Sequence, residues 1–377
     1  MPADIKTEEL LLNIGPQHPS THGVLRVVVR TDGEIILGAD VHVGYLHRCF
    51  EKIAENLSYV QVTPYTDRMD YLSSMANNLA WSIAVERLMG LQVPRRAEVI
   101  RVIMAELQRI ASHLMAIGTY GLDIGAFTPF LYCFRDREKI LRIFEKICGQ
   151  RLNYNYIRPG GVPFDMTDDM VEDVAWFCSY AKPKLEEVND LFTHYGIFVG
   201  RTANVGVLPV DTALSYGCTG PVLRGSGVKR DLRKDRPYSI YPELQFDVPV
   251  GRGAKGQVGD CWDRYNVRVE ECFQSLRMLD QALPLLRATK GQPHMADAAK
   301  RGLKVPKGES YVKVENPRGE LGFYVVSDGT PRPWRVKARA PSFHNISVLP
   351  EIARGCMVAD MVAIIGSIDI VMGEVDR

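Results

Sequence analysis

The chain has 377 residues, of which 46% are hydrophobic and 24% are charged, so it can bury a large core. Its formal net charge of +1 gives no reason to expect a nucleic-acid partner. The densest basic run, at residues 229–236, also contains two aspartates and is typical of a solvated loop. The eight cysteines form no C-x-x-C pair, which argues against a disulfide scaffold and favours a reducing, cytoplasmic setting. The first residues lack a secretion-signal pattern, so we expect no secretion.

Two apolar, β-branched runs, at residues 8–14 and 24–30, flank the segment GPQHPSTHG at 15–23. Because prolines fix φ and glycines permit turn angles, this segment predicts a stiff loop at the rim of a small sheet. A further strand is expected at 34–42. The loop carries His18 and His22, for which two interpretations stand side by side. Both imidazoles hydrogen-bond the loop backbone, or they form a site that handles protons or binds a ligand.

Helices follow this sheet. The composition and apolar spacing predict helices at residues 45–58, 73–89, 95–117, 131–148, 167–194, 211–216 and 259–289. Pro94 suits the first turn of the third helix, whose apolar positions step by three and four. This helix and the one before it are expected to pack as a hairpin. Pro129 precedes the next helix, and Pro183 predicts a kink. Several long helices in one chain indicate a helical bundle.

The last part of the chain predicts a hairpin at 310–315 and 321–327, a strand at 335–340 and two helices. The apolar stretch at 355–373 contains Asp360 and Asp369, which are costly in hydrocarbon, so it indicates a buried helix and not a membrane span. A formal G-x-G-x-x-G at 251–256 lacks the strand and helix of a nucleotide-binding fold. We therefore expect no nucleotide there.

These elements predict an α+β, mainly α fold. It consists of a helical bundle with a small N-terminal antiparallel sheet and a C-terminal hairpin. The segments would be residues 1–44 with the loop, 45–290 with the bundle and inserted loops, and 291–377 with the hairpin and closing helices. We expect all three to form one integrated domain.

Two further groups of residues carry possible chemistry. The segment YTDRMDY at 65–71 places two acids, an arginine and two tyrosines at a helix entrance, where an aspartate could simply be the N-cap. Asp123 stands alone among the apolar residues of 121–129. Such a carboxylate caps the next helix or pairs with a donor, because an unpaired buried charge is expensive.

Six motifs, in order along almost the whole chain, resemble those of the D subunit of proton-pumping NADH:quinone oxidoreductase, which is called the 49-kilodalton subunit in mitochondria. They are GPQHPSTHG at 15–23, HRCFEK at 47–52, DRMDY at 67–71, YIRPGG at 156–161, RAPSF at 339–343 and MGEVDR at 372–377. The resemblance implies the fold of nickel-iron hydrogenase large subunits. It also implies a quinone-site subunit that does not work alone.

For the site, the resemblance implies that His22 and Tyr71 hold the quinone headgroup and that Asp123 is the carboxylate partner of His22. Reduction of a quinone takes two electrons and two protons, so such a pocket needs donors that can be protonated again. Arg68 would lie near the 4Fe-4S cluster of the neighbouring B subunit, which would supply the electrons. No cofactor or metal is expected on this chain alone.

The implied partners are subunits B, C, H and I and the membrane quinone, with the chain peripheral on the cytoplasmic side of the inner membrane. Three departures from the family pattern stand out. Asn153 and Tyr154 replace a stretch in which many members carry a histidine near the cluster, the link at 291–304 is short, and Asp369-Ile370 replaces Asp-Pro.

Two other classes of function compete with this one. A scaffold subunit of a related membrane-bound, hydrogenase-like complex would use another electron donor, such as F420 or ferredoxin. The joint presence of His22, Tyr71 and Asp123 argues against a pure scaffold. A nickel-iron hydrogenase would need two C-x-x-C pairs as metal ligands, and the sequence has none.

Overall fold

The computed structural model describes residues 9–377, so Glu8, the first residue of the predicted opening strand, lies outside this range. Two sheets of three antiparallel strands form, each in chain order. Their strands are β1 (Glu9–Ile14), β2 (Arg26–Asp32), β3 (Ile35–His42), β4 (Gly308–Asn316), β5 (Gly319–Ser327) and β6 (Arg335–Arg339). The predicted N-terminal sheet and C-terminal hairpin are confirmed, and β6 extends the hairpin.

Helices make up most of the remaining structure, which confirms the mainly α fold. The long helices are α3 (Ser74–Met89), α4 (Arg95–Asp123), α5 (Phe127–Cys148), α6 (Asp168–Phe192) and α11 (Cys261–Ala288). The shorter ones are α1 (Phe50–Ala54), α2 (Tyr59–Asp67), α7 (Gly196–Thr202), α8 (Val210–Ser215), α9 (Pro221–Gly225), α10 (Leu232–Asp235), α12 (Asp297–Lys300), α13 (Pro341–Ile346), α14 (Leu349–Ala353), α15 (Asp360–Ile368) and α16 (Met372–Asp376).

The N-terminal sheet rests on helices from the end of the chain. Val27, Val29 and Thr31 of β2 are buried on one face, as the two-residue period of a strand requires. The two valines share a hydrophobic core with α14, α15 and the α15–α16 turn. This packing holds the loop at 15–23, which joins β1 to β2, against the C-terminal helices.

Helix α4 is the central element of the bundle. It packs along α5 and α11 and also contacts α3 and α15, so almost its whole circumference is enclosed. The predicted apolar positions are all buried. The rest of its surface is also buried and carries charged side chains, among them Arg101, Glu106, Arg109 and His113. Sequence periodicity indicated one buried face, and the structure shows that the helix is covered on its other sides as well.

The single helix predicted at 45–58 is wrong. Residues 44–48 form a loop because the backbone N–H groups of Gly44 and Leu46 donate to the Asp376 carboxylate, at 2.8 and 2.7 Å. The chain becomes helical only at Phe50. A second helix, α2, starts after Ser58, whose backbone N–H donates to the Gln61 side chain at 3.0 Å in a capping box.

Several helix limits also differ from the prediction. Helix α4 continues six residues past 117, to Asp123, and α5 already begins at Phe127, so Pro129 lies in its first turn. Pro94 is the N-cap of α4 and not its first helical residue. The hairpin expected of α3 and α4 is a minor contact, because α3 packs chiefly against β4, α2 and β5.

The chain between 196 and 258 forms four short helices where one was predicted, and the end of the chain forms four where two were predicted. The apolar stretch at 355–373 contains a buried helix, α15, that ends at Asp369 in a left-handed conformation with φ 58°. Among the helices of residues 9–377, none combines the length and hydropathy needed to cross a bilayer.

Candidate functional site

A cavity of about 220 Å³ opens where four segments meet: the loop at 15–23, the α2–α3 turn, the end of α4 and the α15–α16 turn. Its wall is mostly apolar, with a small set of ionisable groups. The lining residues are Pro19, His22, Tyr71, Leu72, Met115, Thr119, Leu122, Asp123, Asp369, Ile370 and Val371. An apolar cavity with a few convergent polar groups is the usual form of a small-molecule site.

The loop at 15–23 is held in shape by its own hydrogen bonds. The buried Thr21 hydroxyl lies within hydrogen-bond distance of the carbonyl oxygens of His18 and Gly23, at 2.7 and 2.8 Å. His22 follows in a left-handed conformation with φ 52°, and its side chain lines the cavity. His18 is exposed, and its Nδ1 accepts a hydrogen bond from Ser20 N at 3.3 Å. The loop-backbone interpretation therefore applies to His18 but not to His22.

Asp123 pairs with His22. The distance between His22 Nε2 and Asp123 Oδ2 is 2.5 Å, and only 13% and 11% of the two side chains are exposed. Asp123 is the last residue of α4, while Ala126 is the N-cap of α5, so Asp123 does not cap the next helix. A carboxylate in this position fixes the orientation of the imidazole through a hydrogen bond.

Tyr71 lies in the turn between α2 and α3, on the cavity wall. The turn is anchored by buried Asp70, which accepts from Arg318 Nη1 at 2.9 Å and from Leu72 N at 3.1 Å. Burial raises the pKa of Tyr71 above its ordinary value, so its phenol stays protonated at neutral pH and can donate a hydrogen bond. The alternative in which an aspartate caps α3 does not apply, because the N-cap is Ser73.

Arg68 is exposed at the end of α2 and does not line the cavity. Its Nη1 donates to Pro64 O at 2.5 Å. The neighbouring Asp67 is buried and accepts from Asn155 N at 2.9 Å, which holds the segment containing Asn153 against α2. Burial raises the pKa of Asp67 to about 7. The structure thus brings His22, Tyr71 and Asp123 together and places Arg68 on an adjacent surface.

Sequence reasoning missed two parts of the cavity wall. Met115, Thr119 and Leu122 lie on the same face of α4 as Asp123, at helical spacing. Continuing the helix past residue 117 would have found them. Asp369 was noted only as a charge within an apolar stretch, although a lone carboxylate in such a stretch is itself a signal for a buried polar site.

The described residues contain no group of three or more His, Cys, Asp or Glu side chains placed to hold a metal ion. What the cavity offers is two proton donors, the His22 imidazole and the Tyr71 phenol, on an apolar wall. Such a pair suits a flat ring that carries hydrogen-bond acceptors and takes up protons.

Comparison with known proteins identifies the family of this chain. Residues 123–301 and 288–377 match the family model described as respiratory-chain NADH dehydrogenase, 49 Kd subunit. The D subunit of NADH-quinone oxidoreductase from Chlorobium luteolum is 53% identical over 375 residues, which cover 99% of this chain and 95% of the relative. The D 1 subunit from Cytophaga hutchinsonii is 53% identical over 382 residues, covering 99% and 97%. The chain therefore belongs to the family of the 49-kilodalton subunit of respiratory-chain NADH dehydrogenase, and it is a subunit of an oxidoreductase complex.

Proposed function

We propose that this chain is the quinone-site subunit of a proton-translocating NADH:quinone oxidoreductase and that it protonates the bound quinone. The observation that carries the proposal is the convergence of the His22–Asp123 pair and Tyr71 on one apolar cavity. A volume of about 220 Å³ equals roughly seven water molecules at ~30 Å³ each. That is room for one substituted ring, so the lipid tail would extend through the open side.

The roles follow from the chemistry of each group. Two electrons and two protons convert the quinone to the quinol, and one proton reaches each carbonyl oxygen. Tyr71 donates its hydroxyl proton to one oxygen. His22, oriented by its hydrogen bond with Asp123, donates a ring proton to the other. Both donors act where negative charge develops on the ring oxygens, so they stabilise the transition state more than the bound substrate.

The electrons would come from a 4Fe-4S cluster in the B subunit, with Arg68 facing that cluster. Its exposed position beside the cavity-bearing turn is compatible with a docking face. Subunits C, H and I and the membrane quinone complete the proposed partners, with the chain peripheral on the cytoplasmic side of the inner membrane. A scaffold role in a related complex predicts no need for paired proton donors, so the His22–Asp123 contact favours the quinone site.

The test is Tyr71→Phe in the assembled complex. Phe keeps the ring and its packing but cannot donate a proton. Quinone reduction should fall by at least about a hundredfold, while reduction of an artificial acceptor that takes electrons upstream of the cluster should stay unchanged. Turnover should fall by more than apparent quinone affinity.

Tyr65→Phe is the matched control, because Tyr65 is 40% exposed on α2 in the same segment. Its complex should keep normal quinone reduction. Loss of both activities in Tyr71→Phe would mean that Tyr71 is structural. Retention of both would mean that the headgroup is held elsewhere.

A further inference from the structure

Helix α15 contacts both segments that carry the His22–Asp123 pair. It packs against α4, which ends at Asp123, and against the short 3-10 helix at Pro19–Thr21 in the loop that carries His22. One residue of α15, Gly366, is buried at the contact with α4. The proposed proton transfer gives this glycine no role so far.

The backbone of Gly366 lies so close to α4 that a side chain has no room there. A Cβ added at this position would lie 2.6 Å from Tyr120 Cδ2 and 3.2 Å from Asp123 Oδ2. Carbon atoms in favourable contact are about 3.5–4.0 Å apart, so a methyl group would have to displace its neighbours by roughly 1 Å. Asp123 Oδ2 is the same oxygen that pairs with His22 Nε2 at 2.5 Å. Gly366 therefore lies directly beside the pair.

The ring of Tyr120 has little freedom to move aside. Tyr120 is only 2% exposed. Its ring packs edge-on against Phe198, with the ring centroids 5.7 Å apart, and against the tilted ring of Tyr265 at 6.2 Å. Because protein interiors are close-packed, crowding at such a ring is passed on to the element that carries it. Here that element is the last turn of α4, three residues before Asp123.

Helix α15 is itself held in place by two buried arginines of α11. Arg268 donates to the backbone carbonyls of Ser367 at 2.7 Å and of Ile368 at 3.0 Å. Arg264 donates to the Ser367 hydroxyl at 2.9 Å. The carbonyls of a last helical turn lack intrahelical donors, and hydrogen bonds from guanidinium groups to them are strong. An added side chain on α15 would therefore move the end of α4 and not α15.

We propose that Gly366 is a positioning residue, whose lack of a side chain allows Asp123 to reach and orient His22. The inference rests on the proposed function, in which His22 delivers a proton to the quinone. Proton delivery requires the donor to lie at hydrogen-bond distance and in the right orientation. Gly366 does not line the cavity, so it acts on the reaction only through Asp123.

Gly366→Ala in the assembled complex tests the proposal, both alone and combined with Asp123→Asn. A misplacement of about 1 Å can lower a rate by up to about a hundredfold, so the single variant should lower turnover with quinone by roughly tenfold. Apparent quinone affinity should change less, and the rate with the upstream artificial acceptor should stay unchanged. In the Asp123→Asn background the added methyl group should cause no further loss, because the charge-assisted contact is already absent there.

Gly118→Ala is the matched control. Gly118 is a buried glycine of α4, the helix that ends at Asp123. The three atoms nearest to a Cβ added at Gly118 belong to Cys133 and Phe130 of α5, the first of them 3.1 Å away. Any loss of turnover in Gly118→Ala should therefore be the same factor with and without Asp123→Asn.

Ser367→Ala is a second variant, and it adds no atoms to the contact with α4. It removes the hydroxyl to which Arg264 donates, so α15 is held by fewer hydrogen bonds. Turnover with quinone should fall by less than in Gly366→Ala, and this loss should also be absent in the Asp123→Asn background. If Gly366→Ala fails to assemble, the same comparison with Ser367→Ala decides.

The outcomes separate this inference from the proposed function. If Asp123→Asn lowers turnover while Gly366→Ala keeps the wild-type rate, the positioning role is overturned and the quinone site stands. A loss in Gly366→Ala that multiplies with the loss in Asp123→Asn also overturns it, because the glycine would then act independently of the pair. If Tyr71→Phe and Asp123→Asn both keep full activity, the proposed function fails and the positioning role fails with it.

Discussion

Substituting Asp123 by Asn removes the anionic partner of His22 with little change in side-chain shape. A charge-assisted hydrogen bond contributes about 1.5–3 kcal/mol, so turnover with quinone should fall roughly tenfold to a hundredfold while the complex stays assembled. Steady-state quinone reductase activity measures the effect. Asp360→Asn is the control, because Asp360 is also a mostly buried carboxylate at a helix end, paired with Arg201 at 3.2 Å. Equal losses in both variants would assign Asp123 a structural role only.

The buried carboxyl of Asp67 predicts a pH effect on stability. Burial raises its pKa from 3.8 to about 7, so between these values the folded chain keeps a proton that the unfolded chain has lost. The free energy of unfolding therefore decreases as pH rises from about 4 to 7 and then levels off. The whole decrease in the free energy of unfolding over this pH range corresponds to roughly 4 kcal/mol.

Asp67→Asn removes this titration, so the variant should gain stability relative to wild type at pH 8 and much less at pH 5. Urea denaturation of the full chain at both pH values gives the comparison. Asp211→Asn, at an exposed position, serves as the control and should show no such pH dependence. If the free energy of unfolding differed between wild type and Asp67→Asn by the same amount at both pH values, the raised pKa of Asp67 would be contradicted.

At the residue scale, sequence reasoning selected His22, Tyr71 and Asp123, which the structure places on one cavity wall, and missed most of the residues that support them. His22 and Asp123 were paired only through a family resemblance, since they lie 101 positions apart and no local pattern links them. Arg318 gave no signal at all. A buried arginine cannot be told from a surface arginine by its residue type, because its burial depends on partners from distant segments.

The contact between α4 and α6 depends on Gly121. A Cβ added there would lie 1.8 Å from a ring carbon of Phe192, so Gly121→Ala must displace that ring. We expect a loss of about 1–3 kcal/mol in the free energy of unfolding, measured by urea denaturation. Gly200→Ala is the control, because Gly200 is in α7 with open space at the Cβ position. It should be neutral or slightly stabilising.

At the element scale, strand positions and long helices were predictable because their apolar periods are local properties of the sequence. The wrongly predicted elements have different causes. The capping box at Ser58 and Gln61 was a readable local signal for a new helix that went unused. The loop at 44–48 was not readable, because Asp376 holds it from the far end of the chain.

A network of buried charges joins the bundle to the C-terminal sheet, where Arg109 of α4 donates to the Glu315 carbonyl at 2.6 Å. Arg233 pairs with Glu106 at 3.1 Å and with Asp231 at 2.6 Å. Burial alone would raise the pKa of Glu106, but Arg109 and Arg233 outweigh it and hold that pKa below its ordinary value. Arg233→Met would leave both carboxylates short of a partner.

We expect Arg233→Met to lower the free energy of unfolding by about 3–5 kcal/mol. Arg277→Met removes an exposed pair with Asp247 and should cost at most about 1 kcal/mol. Urea denaturation of both variants makes the comparison. A cost for Arg233→Met as small as that for Arg277→Met would mean that the remaining partners compensate.

For the whole molecule, composition and periodicity predicted the fold class but not how distant segments share a core. One hydrophobic cluster joins residues of β2 and β3 with α14 and α15, and another joins α2 and α3 with the C-terminal sheet. The division into residues 1–44, 45–290 and 291–377 stays a prediction. These shared cores support our proposal that the three segments form a single unit.

The walls of the cavity come from opposite ends of the chain, and this has a consequence for folding. The contacts that build it join residues separated by 101, 248 and 51 positions, in the pairs His22–Asp123, Asp70–Arg318 and Arg318–Asp369. Closing such long loops costs entropy before any contact compensates for it, so non-local contacts form late. Until these long-range contacts are made the cavity lacks a complete wall, so any binding there requires the two ends of the chain to be assembled first.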